Sequence, residues 1–292
     1  MKITLFLMTK KGSEVLNSII KNSFHAYIEK VIVGIDKSVI NDYSEEIIQL
    51  CEINKIVYFI SNQKYEVNTT FAIAISWRWL IHSENFKLII IHDSLLPKYR
   101  GFAPLVNSLI NKEELIGLTA LFASDEYDKG EIISQKQISI SYPIKINEAI
   151  EKISVLYSII VLDILKKIIS NIQLESFSQN EEVATYSLWR DEEDYFINWN
   201  DSSTKIERFI DAVGYPYQGA KCYLEKQIII ILKASPFKDV IIENRNVGKI
   251  IFIQENLPIV VCGTGLLKIN EAVFENSKKS IFPLKKFRNR FK

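Results

Sequence analysis

Residues 86–91, Phe-Lys-Leu-Ile-Ile-Ile, place five apolar side chains in six positions, and the run stops at His92. An apolar stretch this short, with no polar alternation, reads as a strand buried on both faces. Pro97 and Gly101 then mark a loop. In an open parallel sheet, ligands sit outside the carboxyl ends of the strands. One of only three histidines therefore stands where chemistry usually happens, against the alternative of a packed histidine at a strand end.

The flanking pattern extends this strand into a sheet. Strands are expected at 2–8, 31–35, 55–60 and 71–75, with helices at 12–20 and 44–51. Alternation of this kind predicts an α/β fold, a doubly wound and mostly parallel sheet with right-handed crossovers. Beyond the loop come a helix at 103–110, strands at 117–124 and 131–140, and a long helix at 146–169. Residues 171–182 are polar and read as a linker, dividing the chain into domains at 1–172 and 183–292. The second domain is β-rich, with one helix near 203–213. No glycine-rich phosphate loop surrounds Gly12, so there is no dinucleotide fingerprint. Lys10 and Lys11, closing the first strand, are placed either for a substrate phosphate or as a solvated pair.

With 36 basic and 35 acidic side chains, the chain lacks the basic excess of a broad nucleic-acid footprint. The basic, aromatic tail at 283–292 reads as a solvated end rather than a nucleic-acid contact. The most apolar helix, at 153–169, carries Asp163, Lys166 and Lys167, which argues for packing and against a membrane span. Cys51, Cys222 and Cys262 are odd in number and lack metal spacing, so no metal is expected and a reducing cytoplasm is the simplest setting.

Ser94-Leu95-Leu96-Pro97 is followed in register by Arg100-Gly101, Ala103-Pro104, Asn111, Gly117-Leu118-Thr119 and Tyr127-Asp128-Lys129-Gly130-Glu131-Ile132. Together these resemble the signature of the formyltransferases that use 10-formyltetrahydrofolate. That family includes methionyl-tRNA formyltransferase, glycinamide ribonucleotide transformylase and the sugar N-formyltransferases. The resemblance implies a Rossmann-like catalytic domain, then a small C-terminal domain like an oligonucleotide-binding (OB) barrel, and 10-formyltetrahydrofolate as donor. It implies His92 and Asp128 as the catalytic pair. Donor-binding positions by the same resemblance are Arg78, Leu80, Ser94, Leu95, Leu96, Pro97, Phe122 and Tyr127, and acceptor-binding positions are Lys10, Arg100 and Tyr217. The run Tyr215-Pro216-Tyr217-Gln218-Gly219-Ala220 is most similar to the sugar branch. The expected acceptor is then the amino group of a dTDP-, UDP- or GDP-linked sugar in lipopolysaccharide or other surface-glycan assembly, and the expected assembly is a homodimer. The alternatives are a methionyl-tRNA formyltransferase, a formyl-folate hydrolase, or a catalytically decayed binding protein.

Formyl transfer needs a proton taken from an amine, a proton given to the departing nitrogen, and a developing oxyanion held. A histidine does such proton work near neutral pH, and a carboxylate beside it favours the imidazolium. The family normally adds an asparagine two residues before the histidine, where this chain has Ile90. Losing one such donor costs roughly 2.7–4 kcal/mol of transition-state stabilisation. Asp93, directly after the histidine, is a second departure: a partner for His92 or a surface carboxylate.

Overall fold

The computed structural model describes residues 1–37 and 39–292. Two compact units emerge, one of residues 1–105, 114–140 and 148–189, the other of 106–113, 141–147 and 190–292. The first unit thus runs on to Trp189 rather than ending near 172. The segment read as a linker at 171–182 is tied back onto that unit: Phe177 exchanges backbone hydrogen bonds with Ile132 (2.8 and 3.0 Å). A polar composition had concealed a stretch that uses its polarity internally.

In the first unit β1 (Ile3–Leu7), α1 (Thr9–Lys21), β2 (Ile28–Val33), α2 (Ser44–Ile53), β3 (Tyr58–Ile60), β4 (Phe71–Ile75) and β5 (Lys87–His92) follow in turn. After them in chain order come the two-residue β6 (Arg100–Gly101), α3 (Pro104–Ile110), which from Val106 belongs to the second unit, β7 (Leu115–Phe122), β8 (Ile132–Ser139), α4 (Ile146–Ile169), in the first unit from Glu148, and β9 (Tyr186–Ser187). The sheet order is β3-β2-β1-β4-β5-β7-β8, parallel from β3 to β5. β7 and β8 run antiparallel, giving the mostly parallel sheet expected. The chain reverses its direction of travel between β1 and β4, the topological switch point where such sheets place their ligands.

Helices cover one face of this sheet, and loops cover much of the other. α1 and α4 meet on the face of Ile89 and Ile91, where Tyr157 donates to the Ile91 carbonyl (3.1 Å). The connections at 61–70 and 76–86, where a doubly wound sheet would carry helices, contain none. Tyr65, Val67, Trp77, Ile81 and Phe86 from those loops pack on Phe6, Ile32, Ala72, Ala74 and Leu88. Phe6 meets Trp77 and Tyr65 edge-on, with ring centroids 5.1 and 6.1 Å apart. Each such pair is worth about 0.5–1.5 kcal/mol beyond its buried area. Alanines at 72 and 74 leave room for these large rings. Among the described residues, no helix is long and apolar enough to cross a membrane.

The second unit contains α5 (Ser203–Ala212) and the strands β10 (Ala220–Leu224), β11 (Gln227–Phe237), β12 (Ile250–Gln254), β13 (Leu257–Val261) and β14 (Leu266–Phe274). They form an antiparallel sheet in the order β10-β11-β14-β13-β12. Ser202 caps α5, its Oγ accepting from Lys205 N–H (3.2 Å), and Ile206 and Ile210 bury the helix's inner stripe. The tail is no solvated end at its last residues. Lys292 exchanges backbone bonds with Tyr223 (2.8 and 3.0 Å), and Phe291 N–H donates to the Gly248 carbonyl (2.8 Å). Residues 289–292 thereby lace the β10 edge to the segment entering β12, with Phe291 fully buried beside Trp199. This covers edges that would otherwise present unpaired backbone.

Candidate active site

His92 is the last residue of β5 and pairs across the sheet with Thr119. Successive side chains alternate across a strand, so His92 shares a face with Leu88 and Ile90, and Asp93 shares the opposite face with Ile89 and Ile91. The largely buried Asp93 carboxylate is ion-paired to Lys11 and accepts from Tyr157 Oη (2.5 Å). Asp93 therefore turns away from His92 and fastens the start of the loop to α1 and α4, which resolves it as neither a partner for His92 nor a solvated surface group.

Thr119 organises the next three residues. Its hydroxyl donates to the Ser94 carbonyl (2.7 Å) and accepts from Leu96 N–H (3.0 Å), while Gln135 Nε2 donates to the Leu96 carbonyl (2.8 Å). Ser94 Oγ closes the turn on the Lys98 carbonyl (2.6 Å). Leu95 lies over Gly117, where an added Cβ would stand 2.6 Å from Leu95 Cδ2. Leu96 joins Leu121, Ile132 and Ile90 in one apolar cluster. Ser94 and Leu96, expected to line the donor site, are thus buried and shape the loop from within, and the Pro97 carbonyl accepts from Thr185 N–H (3.1 Å).

Asp128 reaches His92 by an unexpected route. Because β7 is antiparallel to β5, it ends at Phe122, which faces Ile89 and not the carboxyl end of β5. The loop 123–131 then folds back over the sheet face to bring Asp128 Oδ1 within 3.5 Å of His92 Nδ1. Gly130 makes that return possible, since a Cβ there would stand 1.7 Å from the Phe122 carbonyl oxygen. The other carboxylate oxygen, Asp128 Oδ2, accepts from Gly101 N–H (2.7 Å). His92 Nε2 lies 2.9 Å from the Tyr99 carbonyl, which can only accept, so this nitrogen carries a hydrogen. The ring is 8% exposed and sits between two acceptors, the Tyr99 carbonyl at Nε2 and the Asp128 carboxylate facing Nδ1.

The remaining expected site residues divide. Ser76, next after the Ile75 that pairs with Ile91, opens a loop immediately beside His92, and Arg78 and Leu80 lie on it. Leu80 is 73% exposed, whereas Arg78 donates to Asp36 Oδ1 (2.8 Å), beyond the carboxyl end of β2. Tyr127, 71% exposed, sets its ring 6.1 Å from that of Phe102, so an aromatic pair flanks the Gly101–Asp128 hydrogen bond. Phe122 is a correction. Pairing with Ile89 puts its side chain on the α4 face, opposite His92, where it lines a cavity of about 690 Å³ with Phe71 and Ile168.

Arg100 is a second correction. It is fully buried (0% exposed), and its three guanidinium nitrogens bond to Gln179, Glu181 and Tyr186, so it holds the chain together and faces no acceptor. The Glu181 hydrogen bond raises the Arg100 pKa, and the same bond holds the Glu181 carboxyl below the ordinary glutamate range. Lys10 donates to Glu151 at the surface (3.1 Å). Tyr217 belongs to the second unit, its N–H donating to the Gly214 carbonyl (2.9 Å). Sequence reasoning missed Gln179 and Thr185 and gave Thr119, named within the signature, no role; their roles arise from partners 16 to 86 residues away.

Two family models match the chain: "Formyl transferase" over residues 71–155 and "Formyl transferase, C-terminal domain" over 190–291. A methionyl-tRNA formyltransferase of Thermodesulfovibrio yellowstonii is 30% identical over 234 residues, 78% of this chain and 72% of the relative. The chain belongs to the formyl transferase family. Another methionyl-tRNA formyltransferase, of Acetivibrio thermocellus, is 30% identical over 65% of this chain and 60% of its own length. An N-formyltransferase from Helicobacter canadensis, solved with folinic acid and dTDP-3-aminofucose, has the same fold (TM-score 0.69, 20% identity), covering 92% of this chain and 98% of that one. WlaRD, a sugar 3N-formyl transferase solved with dTDP and 5-N-formyl-THF, matches likewise (TM-score 0.69, 21% identity, 93% and 98% covered).

Proposed function

We propose that this formyl transferase moves a formyl group from 10-formyltetrahydrofolate to the amino group of a nucleotide-linked amino sugar, with His92 and Asp128 as its proton-handling pair. The observation that carries the reading is the convergence of that pair, 3.5 Å apart, at the carboxyl end of β5, with β4 between it and the sheet's switch point. The folate supplies the formyl carbon when bound. The site offers features that suit its flat ring system: Ser76 Oγ and Trp77 Nε1 are buried without a partner among the described residues, at the start of the loop beside His92. Ile90, partly buried on the His92 face and backed by the buried Leu96, Leu121 and Ile132, gives an apolar wall. Buried polar atoms are normally paired, so two adjacent orphans next to such a wall favour a ligand with hydrogen-bonding edges.

The proton work falls to His92. In the arrangement described, its Nε2–H is given to the Tyr99 carbonyl, and Asp128 faces Nδ1. During transfer the acceptor amine loses a proton and the nitrogen released from the formyl carbon gains one, so His92 must exchange the Tyr99 contact for a substrate contact. Asp128, anchored by Gly101 N–H, keeps the ring oriented through that exchange. Ile90 donates nothing, so of these two positions on β5 only the His92 ring can donate to a developing oxyanion.

The sugar acceptor is favoured by the near-neutral charge balance, by the Tyr215–Ala220 turn, and by extent. Compared structure with structure, the two sugar enzymes match 92% and 93% of this chain (TM-score 0.69), and a methionyl-tRNA formyltransferase from Clostridium thermocellum matches 80% (TM-score 0.56). Methionyl-tRNA remains the second reading because the two tRNA relatives named above are the more similar in sequence, at 30% identity. The deciding assay supplies 10-formyltetrahydrofolate with dTDP-, UDP- and GDP-amino sugars or with charged initiator tRNA, and follows tetrahydrofolate release and acceptor mass. Formylation of a nucleotide sugar that His92→Ala abolishes in folded protein is expected. Formylation of tRNA alone, weakening steeply with salt, would transfer the assignment to the second reading. The same reading places the chain in the cytoplasm, where folate and nucleotide sugars meet, as a homodimer.

A further inference from the structure

Gln179 lies in the segment that follows α4, yet it touches the turn that carries Asp128. Its Nε2 donates to the carbonyls of Asp128 (2.6 Å) and Gly130 (2.8 Å), and its Oε1 accepts from Arg100 Nε (3.1 Å) and Nη2 (2.8 Å). Arg100 is in turn held by a two-point fork to Glu181 (2.8 and 2.6 Å). We infer that Gln179 is a positioning residue, which sets the direction of the Asp128 carboxylate by clamping the 128–130 backbone to Arg100. The inference rests on the formyl-transfer reading, in which that carboxylate orients His92.

The geometry explains why the clamp is needed. Asp128 has φ 55°, in the left-handed region that side-chain-bearing residues enter only at a cost. Strain of that kind persists where the surroundings over-determine it, and two hydrogen bonds from one amide to the carbonyls on either side of Lys129 do so. Fixing the Asp128 peptide plane fixes its Cα–Cβ direction, and hence the two contacts of its carboxylate, with Gly101 N–H and His92 Nδ1. Glutamine is the side chain that suits the position. It donates twice to carbonyls and accepts from a guanidinium, whereas glutamate only accepts and methionine does neither.

The test reads Asp128 directly. Amide hydrogen exchange is measured at Gly101, whose N–H is protected by Asp128 Oδ2, with the Leu96 N–H bonded to Thr119 as internal control. In Gln179→Glu, which keeps the Arg100 contact and loses both donations, Gly101 protection is expected to fall to the level of Asp128→Ala while Leu96 stays protected. A protected Gly101 amide in that variant would overturn the inference. The kinetic arm asks whether the loss passes through Asp128. With 10-formyltetrahydrofolate and dTDP-3-aminofucose as probe substrates, Gln179→Leu and Gln179→Glu should lower kcat by about a hundredfold with KM little changed. Neither change should cost anything further on an Asp128→Ala background. Equal losses on both backgrounds would mean a merely structural role and would also overturn it. Should Gln179→Leu not fold, the isosteric Gln179→Glu decides alone. Full transfer by Asp128→Ala would remove the reading of the catalytic pair, while Gly101 exchange would still report whether Gln179 holds Asp128.

Discussion

Replacing Ile90 with asparagine puts back the amide the family carries and removes an apolar side chain this chain has packed. Ile90 is partly buried and touches both the Leu96–Leu121–Ile132 cluster and the larger cluster around Phe6 and Leu88. Losing that partial burial costs roughly 1–2 kcal/mol. An amide left unpaired against these neighbours costs about 1–3 kcal/mol more. Stability should therefore fall by about 2–5 kcal/mol, with roughly 2–4 °C of melting temperature lost per kcal/mol in a unit of this size. On the kinetic side, a donor aimed at the developing oxyanion is worth about a hundred- to a thousandfold in kcat. Urea melts and single-turnover transfer on Ile90→Asn and Ile90→Val separate the two effects. Valine should cost about 0.5–1.5 kcal/mol with no gain in rate. An asparagine variant as stable as wild type would refute the packing argument, and one that folds but is no faster than valine would refute the idea that the missing amide limits turnover.

Lys11→Met should destabilise the first unit by about 3–5 kcal/mol, because it strands the largely buried Asp93 carboxylate, and the double variant with Asp93→Asn should recover most of the loss in urea melts. Glu181 has a depressed carboxyl pKa in the folded chain, so its contribution to the clasp is present above the ordinary glutamate value near 4.5 and is lost as pH falls through the lower folded value. Hydrogen exchange at Arg100 N–H, bonded to the Thr185 carbonyl, should accordingly quicken in acid relative to the core strands, and the Glu181→Gln variant should lose that pH dependence. Burial pushes the Cys51 and Cys262 thiols up to about 12 and raises Cys222 as well, and all three are fully covered. Iodoacetamide at pH 8 should label none of them in the native protein and all three in urea.

Local pattern was enough for most of the elements, because burial periodicity is written into neighbouring residues. The Leu88–Ile91 run became β5 with His92 at its end, 146–169 became α4 with those bounds, and 44–51 became a helix two residues longer. Asp128 was legible through its motif, since Gly130 and the residues around it serve one backbone path. Phe122 was not. Its face depends on the antiparallel register of β7 against β5, and no residue near it states that register. Arg100 shows the same limit, as an exposed guanidinium and a buried fork share one residue type and spacing.

The amino-acid order by itself fixed the strand that ends in histidine, the loop chemistry after it, the family, and the absence of the usual amide at Ile90. Tertiary structure alone decided which side chains serve the site and which serve the scaffold. It turned Asp93 toward α1 and α4, spent Arg100 on Gln179 and Glu181, and drew the apparent linker under Asp128. The physical reason is range. Periodicity and turn preference act over a few residues along the chain, whereas a hydrogen-bonding group's use is settled by whichever distant partner the fold delivers within 3 Å.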